Sequence, residues 1–128
     1  MYELTVKASF SAAHSLRDYD GPCSNLHGHN WIVEVVACGE KLQPNGMLMD
    51  FGDIKKAVSA VLSRLDHTNL NDVQPFDRVN PTSENLARWI YEQVGERVNA
   101  PGLKVVRVNI REAETSCASY FEDASEGQ

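Results

Sequence analysis

The densest group of chemically reactive side chains lies in residues 23–29, which read CSNLHGH and contain one thiol and two imidazoles. The chain has only four histidines, and a third one, His14, lies a short distance upstream. Imidazole and thiolate are the ligands that Zn²⁺ prefers in proteins. The pattern is consistent with a closed structural metal site, with a catalytic centre, or with surface histidines that bind nothing.

His27 and His29 are two residues apart, which sends both imidazoles to one face if this stretch begins a strand. His14 ends the preceding predicted strand, where an antiparallel partner can present it to the same point. Three neutral imidazoles with an open fourth position are typical of catalytic zinc, whereas a structural zinc is closed by four ligands. We therefore interpret His14, His27 and His29 as candidate ligands of Zn²⁺.

Cys23 has two interpretations that its spacing does not separate. It could be the fourth ligand of a closed Cys-His₃ site, or it could stand off the metal as a reactive thiolate favoured by nearby positive charge. Cys38 and Cys117 lie in the middle of predicted strands, and we expect them to be small buried hydrophobic residues.

The fourth histidine, His67, follows Asp66 in the stretch LDHTNLND. A solvated helix end would explain this pair, since a histidine near a helix C-terminus is favoured by the helix dipole. A carboxylate that orients an imidazole is also a common device for proton transfer. A thiol, an oriented imidazole and an open zinc site would together suit proton transfer on a metal-bound substrate.

The metal-ligand candidates flank two predicted strands. From Leu4 to Ala12 apolar and polar residues alternate, which is the pattern of a half-buried strand. A second strand is predicted from Gly28 to Gly39, with the β-prone run WIVEVVAC at its centre. The loop between them, from Arg17 to Asn25, is rich in Asp, Gly, Pro, Ser and Asn.

Two helices are predicted to follow. Apolar residues recur at three- and four-residue spacing from Ile54 to Leu65, and Asp53 is the predicted N-cap. A polar loop separates this helix from a second one, whose start is indicated by the sequence Pro81-Thr82-Ser83-Glu84.

The chain ends in two further predicted strands, Leu103 to Arg111 and Ser116 to Phe121, and residues 123–128 are expected to form a loose tail. The order β-β-α-α-β-β predicts one α+β domain over residues 1–128, an antiparallel four-stranded sheet with two helices on one face. Because two helices cannot cover both sheet faces, we expect the chain to self-associate.

The composition limits the classes of partner. The chain has 128 residues and a formal net charge of −6, which disfavours a general nucleic-acid binder because phosphate backbones require a basic surface. No run approaches the roughly 18 apolar residues that a membrane span requires. Three widely spaced cysteines and an N-terminus without an export signal predict a cytoplasmic protein.

Taken together and in this order, the motifs resemble the 6-pyruvoyl-tetrahydropterin synthase superfamily. They are SAAHSL, CSNLHGHNW, MDFGDIK, LDHTNLND, PTSENLARWI and the late pair Glu114-Thr115, and they span nearly the whole chain. Within the superfamily, the compact chain and the Cys-x-x-x-His-Gly-His spacing are most similar to the bacterial 6-carboxy-5,6,7,8-tetrahydropterin synthases of queuosine biosynthesis.

The resemblance implies a role for each candidate near the metal. His14, His27 and His29 match the zinc ligands of the family. Cys23 matches its catalytic cysteine, the proton acceptor, which favours the reactive thiolate over the closed site. His67 and the neighbouring Asp66 match the histidine of the proton relay and the acid beside it.

The resemblance also implies pterin contacts. Glu114 matches the glutamate that anchors the pterin and completes the relay, and a carboxylate suits this role because it can accept two parallel hydrogen bonds. Glu112 lies on the same predicted strand face and is the alternative. Thr82 and Ser83 fall where relatives contribute pterin contacts from a neighbouring subunit, although helix capping explains them equally well.

The implied reaction converts 7,8-dihydroneopterin triphosphate into 6-carboxytetrahydropterin, acetaldehyde and triphosphate, with Zn²⁺ as the cofactor. The sequence has no Gly-rich phosphate loop, so individual Lys or Arg side chains must bind the triphosphate, and Arg17 is one candidate. The alternatives are 6-pyruvoyl-tetrahydropterin synthase activity and a non-catalytic zinc-stabilised binding module. Family members with glutamate in place of Cys23 catalyse an aldol-type cleavage, which the cysteine disfavours.

The implied fold is the tunnelling fold, in which the sheets of several subunits join into a barrel around a pore. Such a pore would accept the polar strand face of Arg107, Asn109 and Arg111. The family is commonly a hexamer of two trimers with its sites at subunit interfaces, so we expect a homohexamer here.

Overall fold

One mixed sheet, covered on one face by two helices, forms the core. The structure is a computed structural model, and it describes residues 1–122. The strands are β1 (Tyr2–His14), β2 (His27–Gly39), β3 (Thr68–Asn69), β4 (Lys104–Ala113) and β5 (Ser116–Phe121), and the helices are α1 (Phe51–Leu62) and α2 (Ser83–Val98). Short 3₁₀ turns lie at Pro22–Ser24 and Leu70–Asp72. The expected tail at 123–128 lies outside the described residues.

The strand order in the sheet is β3-β1-β2-β4-β5. Strands β1, β2, β4 and β5 pair antiparallel, as the sequence predicts. The expectation of four strands is wrong, because β3 adds a fifth strand that pairs in parallel with Ala12 and Ala13 of β1. A strand of two residues is too short to show a readable alternation of apolar and polar side chains.

Both helices begin at a side-chain cap. The Asp50 carboxylate accepts a hydrogen bond from the Gly52 N–H at 2.7 Å and caps α1. Asp53, which the sequence suggested as the cap, lies inside the first turn, so that prediction is wrong by three residues. The Thr82 hydroxyl caps α2 by accepting from the Asn85 N–H at 3.1 Å, which confirms the capping interpretation.

The core lies between the helices and the inner face of the sheet. Its buried side chains include Val6, Phe10, Trp31, Val33, Val35, Val108 and Ile110 from the strands and Ile54, Val58, Leu86, Ile90 and Val94 from the helices. Cys38 is only half-buried and Cys117 is exposed, so the prediction that both are buried is wrong. Their neighbours Ala37 and Ala118 point into or pack against the core, and alternation therefore directs both thiols to the opposite face.

Neither helix within residues 1–122 is long and apolar enough to cross a membrane.

Candidate functional site

The register of β1 and β2 brings three histidines together. His14 lies directly opposite His27, and Ala12 lies directly opposite His29. Residues opposite each other in a sheet share a face, and so do residues two apart on one strand. The three imidazoles therefore converge where β1 ends and β2 begins, on the face that the helices cover. The predicted shared face of His27 and His29 is confirmed.

The histidine cluster is compact enough to hold one metal ion. One ring nitrogen from each of His14, His27 and His29 lies within 4.8 Å of the others. The ring centroids are 4.6 Å apart for His14 and His27, 5.2 Å for His14 and His29, and 4.8 Å for His27 and His29. His14 is fully buried, whereas the other two rings are half-buried, so a ligand can reach the cluster from one side.

Backbone carbonyls orient two of the rings. The Nδ1 atom of His14 lies 2.7 Å from the Pro81 carbonyl oxygen, and the Nδ1 atom of His27 lies 2.7 Å from the Asn25 carbonyl oxygen. A carbonyl oxygen only accepts hydrogen bonds, so each Nδ1 carries the hydrogen and each neutral ring presents its Nε2 lone pair. This is the outer-shell contact that orients histidine ligands in metal sites.

The remaining ring nitrogens fit a cation. The Nε2 atoms of His14 and His29 are buried and have no hydrogen-bond partner within the described part of the chain. Burial lowers the pKa of both rings, which favours the neutral form that binds metals. Unpaired buried nitrogens are costly unless something takes their lone pairs, and a bound metal ion does so.

Trp31 closes the core side of the cluster. Its ring centroid lies 4.9 Å from that of His14 and 5.1 Å from that of His29, and its side chain is fully buried. The Trp31 Nε1 atom donates to the Ala12 carbonyl at 3.2 Å, which holds the indole in place. Approach to the histidines from the core side is therefore blocked.

Glu112 is the carboxylate that lies beside the cluster. Its oxygens are 3.7 Å from the His29 Nε2 and 4.0 Å from the His14 Nε2, and its side chain is 33% exposed. The Ser83 hydroxyl donates to it at 2.9 Å. Glu112 is therefore close enough to contact a ligand bound at the histidines.

Glu114 lies elsewhere. The sequence predicts both glutamates on one strand face, but β4 ends at Ala113 and Glu114 is an exposed residue of the turn before β5. One signal in the sequence favours Glu112: it continues the alternation of Val108 and Ile110, the buried residues of the core-facing side.

Cys23 lies in the 3₁₀ turn before β2 and is half-buried. Its carbonyl accepts a hydrogen bond from the Leu16 N–H at 3.0 Å, which ties the turn to the segment that follows β1. Within residues 1–122, the donor atoms that lie within 4.8 Å of one another are those of the three histidines, without the Cys23 sulfur. The geometry therefore supports a three-histidine site rather than a closed Cys-His₃ site.

Asp66 and His67 form a hydrogen-bonded pair at the edge of β1 that faces away from β2. The Asp66 carboxylate accepts from the His67 Nδ1 at 2.9 Å and from the Ser11 N–H at 2.9 Å. The hydrogen bond from Ser11, and then the one from His67, lowers the pKa of Asp66. His67 has a φ of +59° and its side chain is 83% exposed. The pair is built as expected, but it borders the edge strand β3 and contributes no atom to the histidine cluster.

Arg17 is occupied by the backbone. Its guanidinium donates to the Phe76 carbonyl at 2.7 Å and to the Val79 carbonyl at 3.3 Å. A guanidinium engaged in this way is poorly placed to bind a triphosphate, so the structure disfavours that assignment.

Comparisons with known proteins indicate one family. A family model described as 6-pyruvoyl tetrahydropterin synthase matches residues 3–123. A Synechocystis protein named 6-carboxy-5,6,7,8-tetrahydropterin synthase is 36% identical over 126 residues, covering 94% of each chain. A Pyrococcus furiosus protein named dihydroneopterin monophosphate aldolase is 42% identical over 110 residues, covering 85% of this chain and 88% of its own.

The fold agrees as well. The solved structure of Caenorhabditis elegans 6-pyruvoyl tetrahydropterin synthase superposes with a TM-score of 0.84 at 31% identity, covering 95% of this chain and 96% of that chain. The family model and these relatives extend over nearly the whole chain, as the motifs in the sequence indicated. The chain therefore belongs to the 6-pyruvoyl tetrahydropterin synthase family.

Proposed function

We propose that the protein is a zinc-dependent 6-carboxy-5,6,7,8-tetrahydropterin synthase of queuosine biosynthesis. It converts 7,8-dihydroneopterin triphosphate and water into 6-carboxytetrahydropterin, acetaldehyde and triphosphate. The observation that carries the proposal is the cluster of three histidines, whose unpaired nitrogens face one carboxylate, Glu112. The name of the Synechocystis relative supports the choice of reaction.

The proposed metal site consists of His14, His27 and His29. Three imidazoles suit Zn²⁺ better than Mg²⁺ or Ca²⁺, which prefer oxygen ligands. When bound, zinc supplies a Lewis acid for the hydroxyl oxygens of the substrate side chain. The Pro81 and Asn25 carbonyls keep His14 and His27 in the tautomer that such binding requires.

Cys23 and the Asp66–His67 pair are proposed to move protons. Cys23 lies in the 3₁₀ turn that precedes His27 and is not among the metal donors. Its thiolate can therefore act as a base toward the substrate side chain. Asp66 binds the Nδ1 atom of His67 and thereby leaves its Nε2 atom for proton transfer. Because His67 is highly exposed and contributes no donor atom to the cluster of its own chain, we propose that it serves the site of a neighbouring subunit.

Glu112 is the better candidate for the pterin anchor. It lies beside the two unpaired histidine nitrogens, whereas Glu114 lies in an exposed turn. Its bond from Ser83 leaves acceptor positions on both carboxylate oxygens, so it can receive two parallel hydrogen bonds from the pterin ring. Ser83 is thus proposed to position the anchor, and Thr82 to cap α2.

Two other reactions have support from relatives. The C. elegans structure is named a 6-pyruvoyl tetrahydropterin synthase, and that reaction eliminates triphosphate without cleaving a carbon–carbon bond. The P. furiosus relative is named an aldolase of dihydroneopterin monophosphate. Both relatives exceed 30% identity, so identity does not separate the three reactions.

Product analysis separates them. The zinc-loaded protein is incubated with dihydroneopterin triphosphate and, separately, with the monophosphate, and the products are identified by mass spectrometry. Acetaldehyde and a carboxylated tetrahydropterin support the proposal. A diketone side chain indicates pyruvoyl synthase activity, and a pterin shortened to a hydroxymethyl group indicates the aldolase. Unchanged substrate in both reactions would favour a binding module.

A further inference from the structure

Two asparagine side chains hold the segment that follows His14. The Asn71 amide accepts from the Ser15 N–H at 2.8 Å and donates to the Ser15 carbonyl at 2.9 Å. The Asn80 amide does the same for Arg17, at 2.8 Å and 3.0 Å. Each amide thus replaces one residue of a neighbouring strand, because it pairs with both the N–H and the C=O of one residue.

Leu16 lies between Ser15 and Arg17, and its backbone bonds to the opposite side of the segment. The Leu16 N–H donates to the Cys23 carbonyl at 3.0 Å. This alternation is that of an extended strand, which bonds to one side and then to the other. The extension ends at Asp18, whose φ of +54° turns the chain away. Residues 15–17 therefore prolong β1 beyond His14 and place the turn that carries Cys23.

The loop of residues 76–82, which contains Asn80, also contacts His14. Arg17 donates to the Phe76 and Val79 carbonyls, and the Asn80 carbonyl accepts from the Thr82 N–H at 2.8 Å and from the Asn85 side chain at 2.9 Å. The residue between these contacts is Pro81, which is buried and whose carbonyl binds the Nδ1 atom of His14. The loop that holds Arg17 is therefore the loop that orients a metal ligand.

We propose that Asn71 and Asn80 are positioning residues of the active site, which hold residues 15–17 as a continuation of β1 and so set both the His14 ring and the Cys23 turn. This inference rests on the proposed function for its metal and its reaction. Both asparagine side chains bond to the backbone of Ser15 and Arg17 and not to the three histidines. Each acts through the backbone that it holds. Contacts made directly to histidine ligands commonly change metal affinity about 10- to 100-fold when removed, and we expect these indirect contacts to act at the lower end of that range.

The test compares Asn71→Ala, Asn80→Ala and Asn80→Asp with the control Asn99→Ala. Asn99 also accepts a hydrogen bond from a backbone N–H, that of Val105 at 2.8 Å, but it caps the far end of α2. Zinc affinity is measured by competition with a chelator, and turnover is measured on the loaded protein. In the metal-free protein, the rate of alkylation of Cys23 relative to the exposed Cys117 is followed by mass spectrometry.

We expect the Asn71 and Asn80 variants to bind zinc roughly 10-fold or more weakly, with a lower kcat. Cys23 alkylation should accelerate against Cys117, while Asn99→Ala matches the wild type in all three measurements. Asn80→Asp keeps the acceptor for the Arg17 N–H, and it supplies the test if the alanine variants do not fold. Zinc affinity and alkylation rates within twofold of the control would overturn the proposal.

The two proposals fail differently. A wild-type protein that binds no zinc would refute the proposed metal site, while the alkylation ratio of the metal-free variants would still decide whether the asparagines position Cys23. Zinc binding by the wild type and unchanged behaviour of the asparagine variants would refute the positioning role alone.

Discussion

The choice between an enzyme and a metal-stabilised binding module depends on Cys23. Its sulfur is outside the set of metal donors in residues 1–122, so its removal should leave the three-histidine site intact. We predict that Cys23→Ala retains zinc, fold and pterin binding while turnover falls by about two to four orders of magnitude, the usual effect of losing a general base.

The control is Cys117→Ala, because Cys117 is exposed on β5. Zinc content, melting temperature and turnover are measured on one preparation of each variant. A metal ligand would behave differently, since its loss weakens metal binding and lowers the melting temperature together. Zinc loss in step with activity in Cys23→Ala would indicate the closed site, and full turnover would remove Cys23 from the mechanism.

The two glutamates of the β4 end provide a matched pair. Glu112 lies 3.7 Å from the His29 Nε2, and Glu114 is exposed in the following turn. We predict that Glu112→Gln weakens pterin binding roughly 10- to 100-fold, since a hydrogen bond to a charged group contributes about 1.5–3 kcal/mol. Glu114→Gln should bind pterin as the wild type does.

Binding is measured by titration of the zinc-loaded protein with a non-reacting pterin. The reverse ranking of the two variants would restore Glu114 as the anchor. Equal and small effects of both substitutions would place the anchor elsewhere in the assembly.

Strand β1 shows how far the sequence predicts the site. Its alternation is regular, and the antiparallel pairing with β2 follows from the element order, so the meeting of His14 with His27 and His29 was predictable. Alternation along β4 also predicts that Glu112 lies on the core-facing side, with Val108 and Ile110. The histidine cluster is predictable because strand periodicity determines which side chains of one strand share a face, and the pairing of β1 with β2 brings the two strands together.

Two of the three features that the sequence does not predict depend on contacts between distant segments. The hydrogen bonds of Asn71 to Ser15 and of Asn80 to Arg17 join residues that are 56 and 63 positions apart in the chain. A loop asparagine carries no periodic signal. Strand β3 pairs through two residues, too few for a pattern. The cap of α1 at Asp50 competed with Asp53, and both residue types favour that position. Tertiary contacts determine the first two features, whereas the cap is a local contact between residues two apart in the chain.

Asp66 connects the end of the first helical region to β1, and its stability contribution should depend on pH. The Ser11 N–H, and then His67, lower its pKa below the ordinary 3.8. The folded protein thus binds this proton less readily than the unfolded chain does, so the stabilisation is present above pH 3.8 and is lost as the pH falls through the lower folded value.

We predict that Asp66→Asn is less stable than the wild type at pH 7 and that the difference shrinks below pH 3.8. The free energy of unfolding is measured by urea denaturation across this range. Asp77→Asn, an exposed position in the next loop, is the control and should show a smaller difference at pH 7. A gap between Asp66→Asn and the wild type that is constant with pH would show that the carboxylate charge is not the cause.

Within residues 1–122, two strand edges of the subunit remain open. Strand β3 covers only Ala12 and Ala13 of β1, so most of β1 has a partner on one side, and β5 is the last strand at the opposite end of the sheet. Open edges are sites for pairing with another chain unless something protects them. The outer sheet face, which carries Arg107 and Asn109, is also uncovered by either helix. These features support the proposed barrel of several subunits, and a hexamer is the expected assembly.

Mixing two inactive variants tests whether each active site contains residues from two subunits. If His67 serves a neighbouring subunit, Cys23→Ala and His67→Ala damage residues of one site that come from different chains. We predict that each variant alone is inactive, that light scattering shows a hexamer for both, and that refolding the two together restores part of the turnover. The recovered activity arises from interfaces that combine an intact Cys23 with an intact His67.

The control mixture contains Cys23→Ala and His27→Ala. These two residues lie on one chain beside one metal site, so no mixed interface regains a complete set and turnover should stay absent. Recovery in the first mixture and none in the second would establish that the proton-transfer pair crosses the interface. Absence of recovery in both, with mixed hexamers verified by mass spectrometry, would show that His67 does not combine with Cys23 across a subunit interface. A stable monomer at micromolar concentration would contradict the barrel and the shared site together, because the exposed Asp66–His67 pair would then have no second cluster to serve.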